Sequence, residues 1–422
     1  MEAAFSKVDI TPKSPMLLTG YGGNERIFDH CSQPIYARTA AFRGSRSEKV
    51  SVIVGVDLCG LSVDSIRRVE AAAFNRRGIT PDRLVINSSH NHSAPTVSGC
   101  LDLYYEHTDT LDRSIAGYTA FVESAIIRSI EEAVDHTEPV NGSFYYGLCG
   151  FGVNRRRSRP ELRHCPGPVD HDVPVLTIRR PNKTLIGLIY GYACHTTTLC
   201  GKDLNGDYPG WTSAALEERN PEAVALFVAG CGGDINPLPR YTMARSKAYG
   251  FLLAEAVEEA IAKEKPEPVN NPPSTSMTRL NLPLQASPHL EAWERQHEEA
   301  SHPFDRKNIA HQIELYQKQN TSTEVPFTVR RWNFGDSLTW IFLSGEMVVD
   351  YSLKLKEIYG CRQTWVTAYC DELTPYIPSE RVLAEGGYEG GTCMTEYGYP
   401  SPFATGLEAR ILEAVEKTEA IQ

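Results

Sequence analysis

The chain has 422 residues, beyond the ~250–300 at which a single hydrophobic core usually stops growing, so one large layered domain or two domains would fit. With 41% hydrophobic and 23% charged residues it has ordinary globular composition. A net charge of −11, with no Lys/Arg cluster on a helical face, argues against nucleic acid as a partner.

The N-terminus, Met1 to Lys7, lacks the apolar core of a signal peptide. No run of ~18 apolar residues points to membrane insertion. The 11 cysteines are scattered without a CxxC pair or a regular framework. They read as reduced thiols of a cytoplasmic protein.

Ser51 to Leu58 is predicted to be a buried strand ending near Asp57, and Ser62 to Asn75 a helix with Val63, Ile66, Val69 and Ala73 near helical spacing. Leu84 to Asn87 is the next strand, and a helix follows over Tyr118 to Val134. Val173–Ile178 and Leu185–Tyr192 form a hairpin about Pro181-Asn182. A helix is expected from Trp211 to Arg219, a strand from Val224 to Ala229 and a helix from Ser246 to Lys263. Residues 265–325 read as a proline-rich connector followed by a charged helical hairpin, an insertion on the surface. Strands resume with Phe327–Trp332 and Leu338–Leu343.

Chemistry-bearing residues gather where the apolar strands end. His90 and His92 follow the Leu84 strand. His195 follows the Leu185 strand, Asp234 and Asn236 follow the Val224 strand, and Glu346 follows the Leu338 strand. Alternation would put His90 and His92 on one face of a strand. Two histidines and a carboxylate are a common ligand set for catalytic zinc. The competing reading is a strand end with solvated histidines, and a strand-end histidine taken singly is more often structural.

A series of short motifs also runs in order from about Phe5 to Gly390. It comprises Val8-Asp9-Ile10-Thr11-Pro12, Gly20-Tyr21-Gly22, Val56-Asp57, His90-Asn91-His92-Ser93-Ala94-Pro95, Asn154-Arg155, Cys194-His195-Thr196-Thr197, Gly206-Asp207 with Gly210, Gly345-Glu346, Tyr376-Ile377-Pro378-Ser379, and Tyr388-Glu389-Gly390. In these the chain resembles the N-terminal catalytic domain of the neutral (alkaline, non-lysosomal) ceramidases. The resemblance implies an α/β fold of layered mixed sheets flanked by helices, spanning residues 1–422 as one domain. It implies a single zinc held by His90, His195, Glu346 and Tyr376, with His92, Arg155 and Tyr388 lining the pocket. Arg156 or Arg157 would then belong to a solvated charge run.

Two departures bear on substrate. Asn236 stands where the family signature has serine, and an amide cannot attack a carbonyl. No segment corresponding to the family's C-terminal immunoglobulin-like domain or secretion signal is expected.

The reaction expected is zinc-dependent hydrolysis, in which metal-bound water cleaves the amide (C–N) bond of a small polar N-acyl compound, anionic ones included, with Arg155 as the clamp. The alternatives are hydrolysis of an ester, lactone or glycosidic bond, or a catalytically silent metal-binding homologue. His92 would serve as general acid/base or oxyanion donor. Asn236 would donate to the substrate. Asp207 and Asp234 would orient a ligand imidazole, with loop capping as the alternative.

Overall fold

The computed structural model describes residues 1–23, 25–45, 47–158 and 167–418. Among these, the strands form two large sheets with helices outside both. The larger has nine strands in the order Ser274–Pro283, Glu324–Asn333, Thr339–Ser344, Thr364–Cys370, Leu84–Ser88, Ser51–Val56, Tyr36–Arg43, Glu2–Asp9 and Glu138–Pro139. The smaller has five, in the order Val224–Ala229, Leu185–Tyr192, Asp172–Arg179, Asn141–Leu148 and Glu267–Val269.

The apolar runs are continuous because each central strand is covered on both faces. Val52, Val54 and Val56 pack outward on Ile66 and Val69 of the Val63–Arg77 helix and on Val122 and Ile126 of the Asp109–Asp135 helix. Ile53 and Val85 point the other way, toward Ile189, Leu226 and Val228 of the smaller sheet. That sheet's outer face, with Leu188 and Tyr190, is covered by the Asp207–Arg219 and Met243–Lys263 helices. The layers therefore run helix, sheet, sheet, helix. Trp340 and Trp365 stack at 4.0 Å between centroids in the inter-sheet core. Truncating either to Ala would cost about 3–5 kcal/mol.

The helix starts follow local chemistry. Ser62, Thr108 and Thr242 each accept a backbone N–H in the first turn of the helix they cap.

The two halves of the larger sheet meet tip to tip. Ser51–Val56 and Leu84–Ser88 are parallel, and so are Thr339–Ser344 and Thr364–Cys370. The two pairs join antiparallel at Cys370 and Asn87, which lie at or near the C-terminal ends of their strands. Val224–Ala229, parallel to its neighbour Leu185–Tyr192, packs against this junction. Strand C-termini from both sheets converge there, where open α/β sheets place ligands.

The 265–325 stretch differs from expectation. Ser274–Pro283 is a ten-residue edge strand paired with Glu324–Asn333, and Glu267–Val269 closes the edge of the smaller sheet. An edge strand is solvated on one side, so Ser274–Pro283 is mostly polar and carries little hydrophobic signal. The helical hairpin is present as Leu290–Glu299 and Pro303–Gln317, but it buries Trp293, Asn308 and Gln312 and sets Phe304 edge-on against Tyr104 at 5.4 Å. It is a wall, not an appendage.

Candidate metal centre

The Leu84 strand ends at Ser88, and His90 adopts a left-handed conformation (φ 55°). His90 and His92 therefore do not share a face by strand alternation. The turn brings them together, with their Nε2 atoms 3.1 Å apart. His92 N–H donates to Thr196 O at 3.2 Å, tying this turn to the one that carries His195. Gly20 (φ 92°) lies under the His92 ring, where a Cβ would sit 2.4 Å from Cγ. Any side chain at Gly20 would displace the imidazole.

Main-chain carbonyls set the protons of two rings. His90 Nδ1 lies 2.9 Å from Cys59 O, and His195 Nδ1 lies 2.6 Å from Gly232 O. A carbonyl only accepts, so each Nδ1 carries the hydrogen and each Nε2 presents a lone pair. Both lone pairs face Glu346. Its Oε2 is 3.0 Å from His90 Nε2 and 3.4 Å from His195 Nε2, yet no donor among the described residues reaches it in hydrogen-bonding geometry. Its Oε1 accepts from the Tyr397 hydroxyl. Tyr376 pairs in register with Glu346, and its hydroxyl lies 3.0 Å from His195 Nε2.

The ligand atoms of His90, His195 and Glu346 lie within 4.8 Å of one another, and all three residues are buried. An orphaned carboxylate oxygen facing two imidazole lone pairs is a donor set that a metal ion completes. Cys59, His90 and His92 form an overlapping group of the same compactness.

Burial, reinforced by the Arg155 cation, pushes His195 down to about 4. Burial and the neighbouring His90 hold His92 well below its ordinary value. Both rings are neutral near pH 7, as metal-binding or proton-accepting imidazoles must be. Burial alone would raise the Glu346 carboxyl; His90 beside it outweighs burial and holds the group well below the carboxylate range. Burial, with the Glu346 charge second, raises the Tyr376 phenol well above its ordinary value.

Beyond this cluster, Arg155 donates through Nε to Glu389 Oε1 at 2.6 Å, and its guanidinium carbon lies 5.2 Å from the Tyr376 ring centre and 5.8 Å from that of Tyr388. Tyr388 packs on Tyr376 at 5.3 Å and donates to Glu396 at 2.8 Å, on the exposed rim. Asn236 is buried in a short strand opposite Val153, where its Oδ1 accepts from the Thr197 hydroxyl at 3.4 Å.

Three expectations change. Asp207 and Asp234 do not orient an imidazole, because Cys59 O and Gly232 O do that. Asp207 is used locally: its carboxylate accepts from the backbone N–H groups of Thr198 and Tyr208 and from the Ser246 hydroxyl. Asp234 joins separate loops by accepting from Val349 N–H and the Asn154 amide, and burial raises its carboxyl to about 6. Arg156 is not solvated; its side chain is fully buried in ion pairs with Glu385 and Glu389.

Four residues at the site went unrecognised in the sequence. Tyr397 and Glu389 hold Glu346 and Arg155, Glu396 receives Tyr388, and Tyr369 packs its ring on His90 at 4.7 Å. Glu389 adjoins the Tyr388 motif, a signal that could have found it. The tyrosines are two of 20 with no spacing to mark them.

The layers and the strand-end site define a mixed α/β protein with a buried candidate metal centre. Solved structures then identify the fold as that of neutral ceramidase. The neutral ceramidase from Pseudomonas aeruginosa is similar at TM-score 0.71 and 19% identity, over 94% of this chain and 72% of that one. A ceramidase complexed with C2 is similar at TM-score 0.74 and 17% identity, over 100% and 76%. No protein-family model and no curated protein matches the chain.

Proposed function

We propose that this protein is a zinc-dependent hydrolase that cleaves the amide bond of a small N-acyl compound. The observation that carries the reading is the orphaned Glu346 Oε2 facing two imidazoles whose Nδ1–H groups are fixed on carbonyls. His90, His195 and Glu346 would hold the ion, with the Tyr376 hydroxyl as fourth ligand. Zinc supplies Lewis-acid polarisation of a carbonyl and acidifies water toward pKa ~7.

The chain's own residues supply the rest. His92 Nε2 lies 3.1 Å from the His90 Nε2 lone pair and so donates its N–H there in the metal-free site; with that lone pair engaged by an ion, His92 Nε2 would be released toward the centre to give and take back a proton. Arg155, held by Glu389 and stacked near Tyr376, brings a cation beside the carbonyl oxygen as negative charge develops. Asn236 has no nucleophilic atom, so no acyl-enzyme forms there; its amide orients substrate or the Thr197 hydroxyl. Burial of the cluster strengthens each of these interactions.

The two similar solved proteins are ceramidases by name, which favours an amide over an ester, lactone or glycoside. The test is metal analysis of the purified protein, then a panel of N-acyl amides, esters, lactones and glycosides assayed with and without chelator. About one zinc per chain and chelator-sensitive amide hydrolysis are expected. Amide turnover that survives complete zinc removal would end the reading.

A further inference from the structure

A cavity of about 860 Å³ lies between the helical hairpin (290–317) and the 383–402 segment, within the range of small-molecule sites. Its walls include Trp293 from one side and Gly387, Met394 and Glu396 from the other. It adjoins the candidate centre. Glu396 accepts from the hydroxyls of Tyr104 at 2.7 Å and Tyr388 at 2.8 Å, and Tyr388 packs on Tyr376. Next in the chain, Tyr397 supports Glu346.

Two features of the walls point to an occupant. The first is unmet hydrogen bonding. Trp293, in the lining, is 2% exposed and its indole N–H has no partner among the described residues. Such a group calls for a polar ligand or ordered water. The second is charge. Glu299, Asp305 and Glu396 line the cavity, with no lysine or arginine among the described lining residues. A single-sign cleft selects against ligands of that sign.

We propose that this cavity holds the amine half of the substrate and selects an aminoalkyl group carrying a positive charge. Which half it holds rests on the amide-hydrolase reading; that it binds an ammonium group does not. The proposal reverses the expectation of an anionic substrate clamped by Arg155, whose charge is already matched by Glu389.

Three N-acetyl probes of similar size test it on the zinc-loaded full chain: N-(2-aminoethyl)acetamide (cationic), N-ethylacetamide (neutral) and N-acetylglycine (anionic). Binding is read by tryptophan fluorescence and calorimetry, and turnover separately. The cationic probe should bind at least about tenfold more tightly than the anionic one. Glu396→Gln, or Asp305→Asn at the exposed rim where folding is not at stake, should narrow that ratio by about fivefold. The fluorescence response should vanish in Trp293→Phe.

Equal affinities, a preference for the anion, or a preference unchanged in both charge variants would overturn the proposal, as would a fluorescence response that survives in Trp293→Phe. Cation-selective binding without turnover supports it and defeats the hydrolase reading. Equal kcat/KM for all three probes defeats it and leaves the hydrolase reading standing.

Discussion

The inner cluster and the outer wall of the site are built by different means. His90 and His195 sit on turns that close strand ends of the two sheets, Glu346 opens a short strand paired with Tyr376, and backbone groups hold the two imidazoles. Tyr388, Glu396 and Tyr397 sit on short helical turns, Tyr388–Thr392 and Met394–Tyr397, held by hydroxyl–carboxylate bonds between side chains. Moving an inner group means moving a sheet. Moving an outer one costs a hydrogen bond to a charged group, about 1.5–3 kcal/mol. On the proposed reading, the inner cluster is where chemistry would be preorganised, and the outer wall is where specificity could change without loss of the centre.

The largest effect should come from the inner cluster. Glu346→Gln should empty the site of zinc and lower turnover by more than ~10³-fold, beyond the 10–100-fold typical of a partner one contact further out. Unchanged zinc content would remove Glu346 from the ligand set. Arg155→Lys sits between the two regions. It loses the planar fork on Glu389 and should lower kcat by about 10–100-fold while zinc stays bound, since a bond to a charged group is worth that much.

Tyr397→Phe probes the link between wall and centre. Zinc affinity, measured by competition with a chelator, should weaken by about 10-fold or more through the freed Glu346 oxygen. An unmoved affinity would separate the two regions completely.

The pH dependence of stability sharpens the same contrast. His195 is held at about 4 in the fold, mainly by burial, so the unfolded chain takes up its proton first as pH falls below ~6.5. Stability of the zinc-free protein present above that pH is lost toward pH 4, by about 3 kcal/mol from this group. His92 adds to the loss. Asp234, raised to about 6 by burial, works the other way: its folded form takes up a proton first, so stability is regained as pH falls from 6 toward its ordinary range. Asp234→Asn should therefore steepen the acid loss of the denaturation midpoint; a shallower slope would contradict this balance. The smallest change belongs to the rim. Tyr388→Phe should raise KM a few-fold, the worth of roughly one hydrogen bond, with zinc affinity unchanged.

What the sequence determined by itself was local in origin. Runs such as Leu84–Ser88 and Leu185–Tyr192 are apolar throughout because both faces are covered, so the strands and their polar ends could be read directly. The order of His90, His195, Glu346 and Tyr376 along the chain was legible through motif resemblance. What only the tertiary structure decided was contact between distant parts. Cys370 meeting Asn87 brings the strand ends together, and no periodicity encodes a pairing across that separation. The groups that fix His90 and His195 are main-chain carbonyls, which every residue possesses and none advertises. Ser274–Pro283 hid as polar sequence because an edge strand buries little. Arg156 looked solvated because a buried arginine reads like any other until Glu385 and Glu389, more than two hundred residues away, are folded against it.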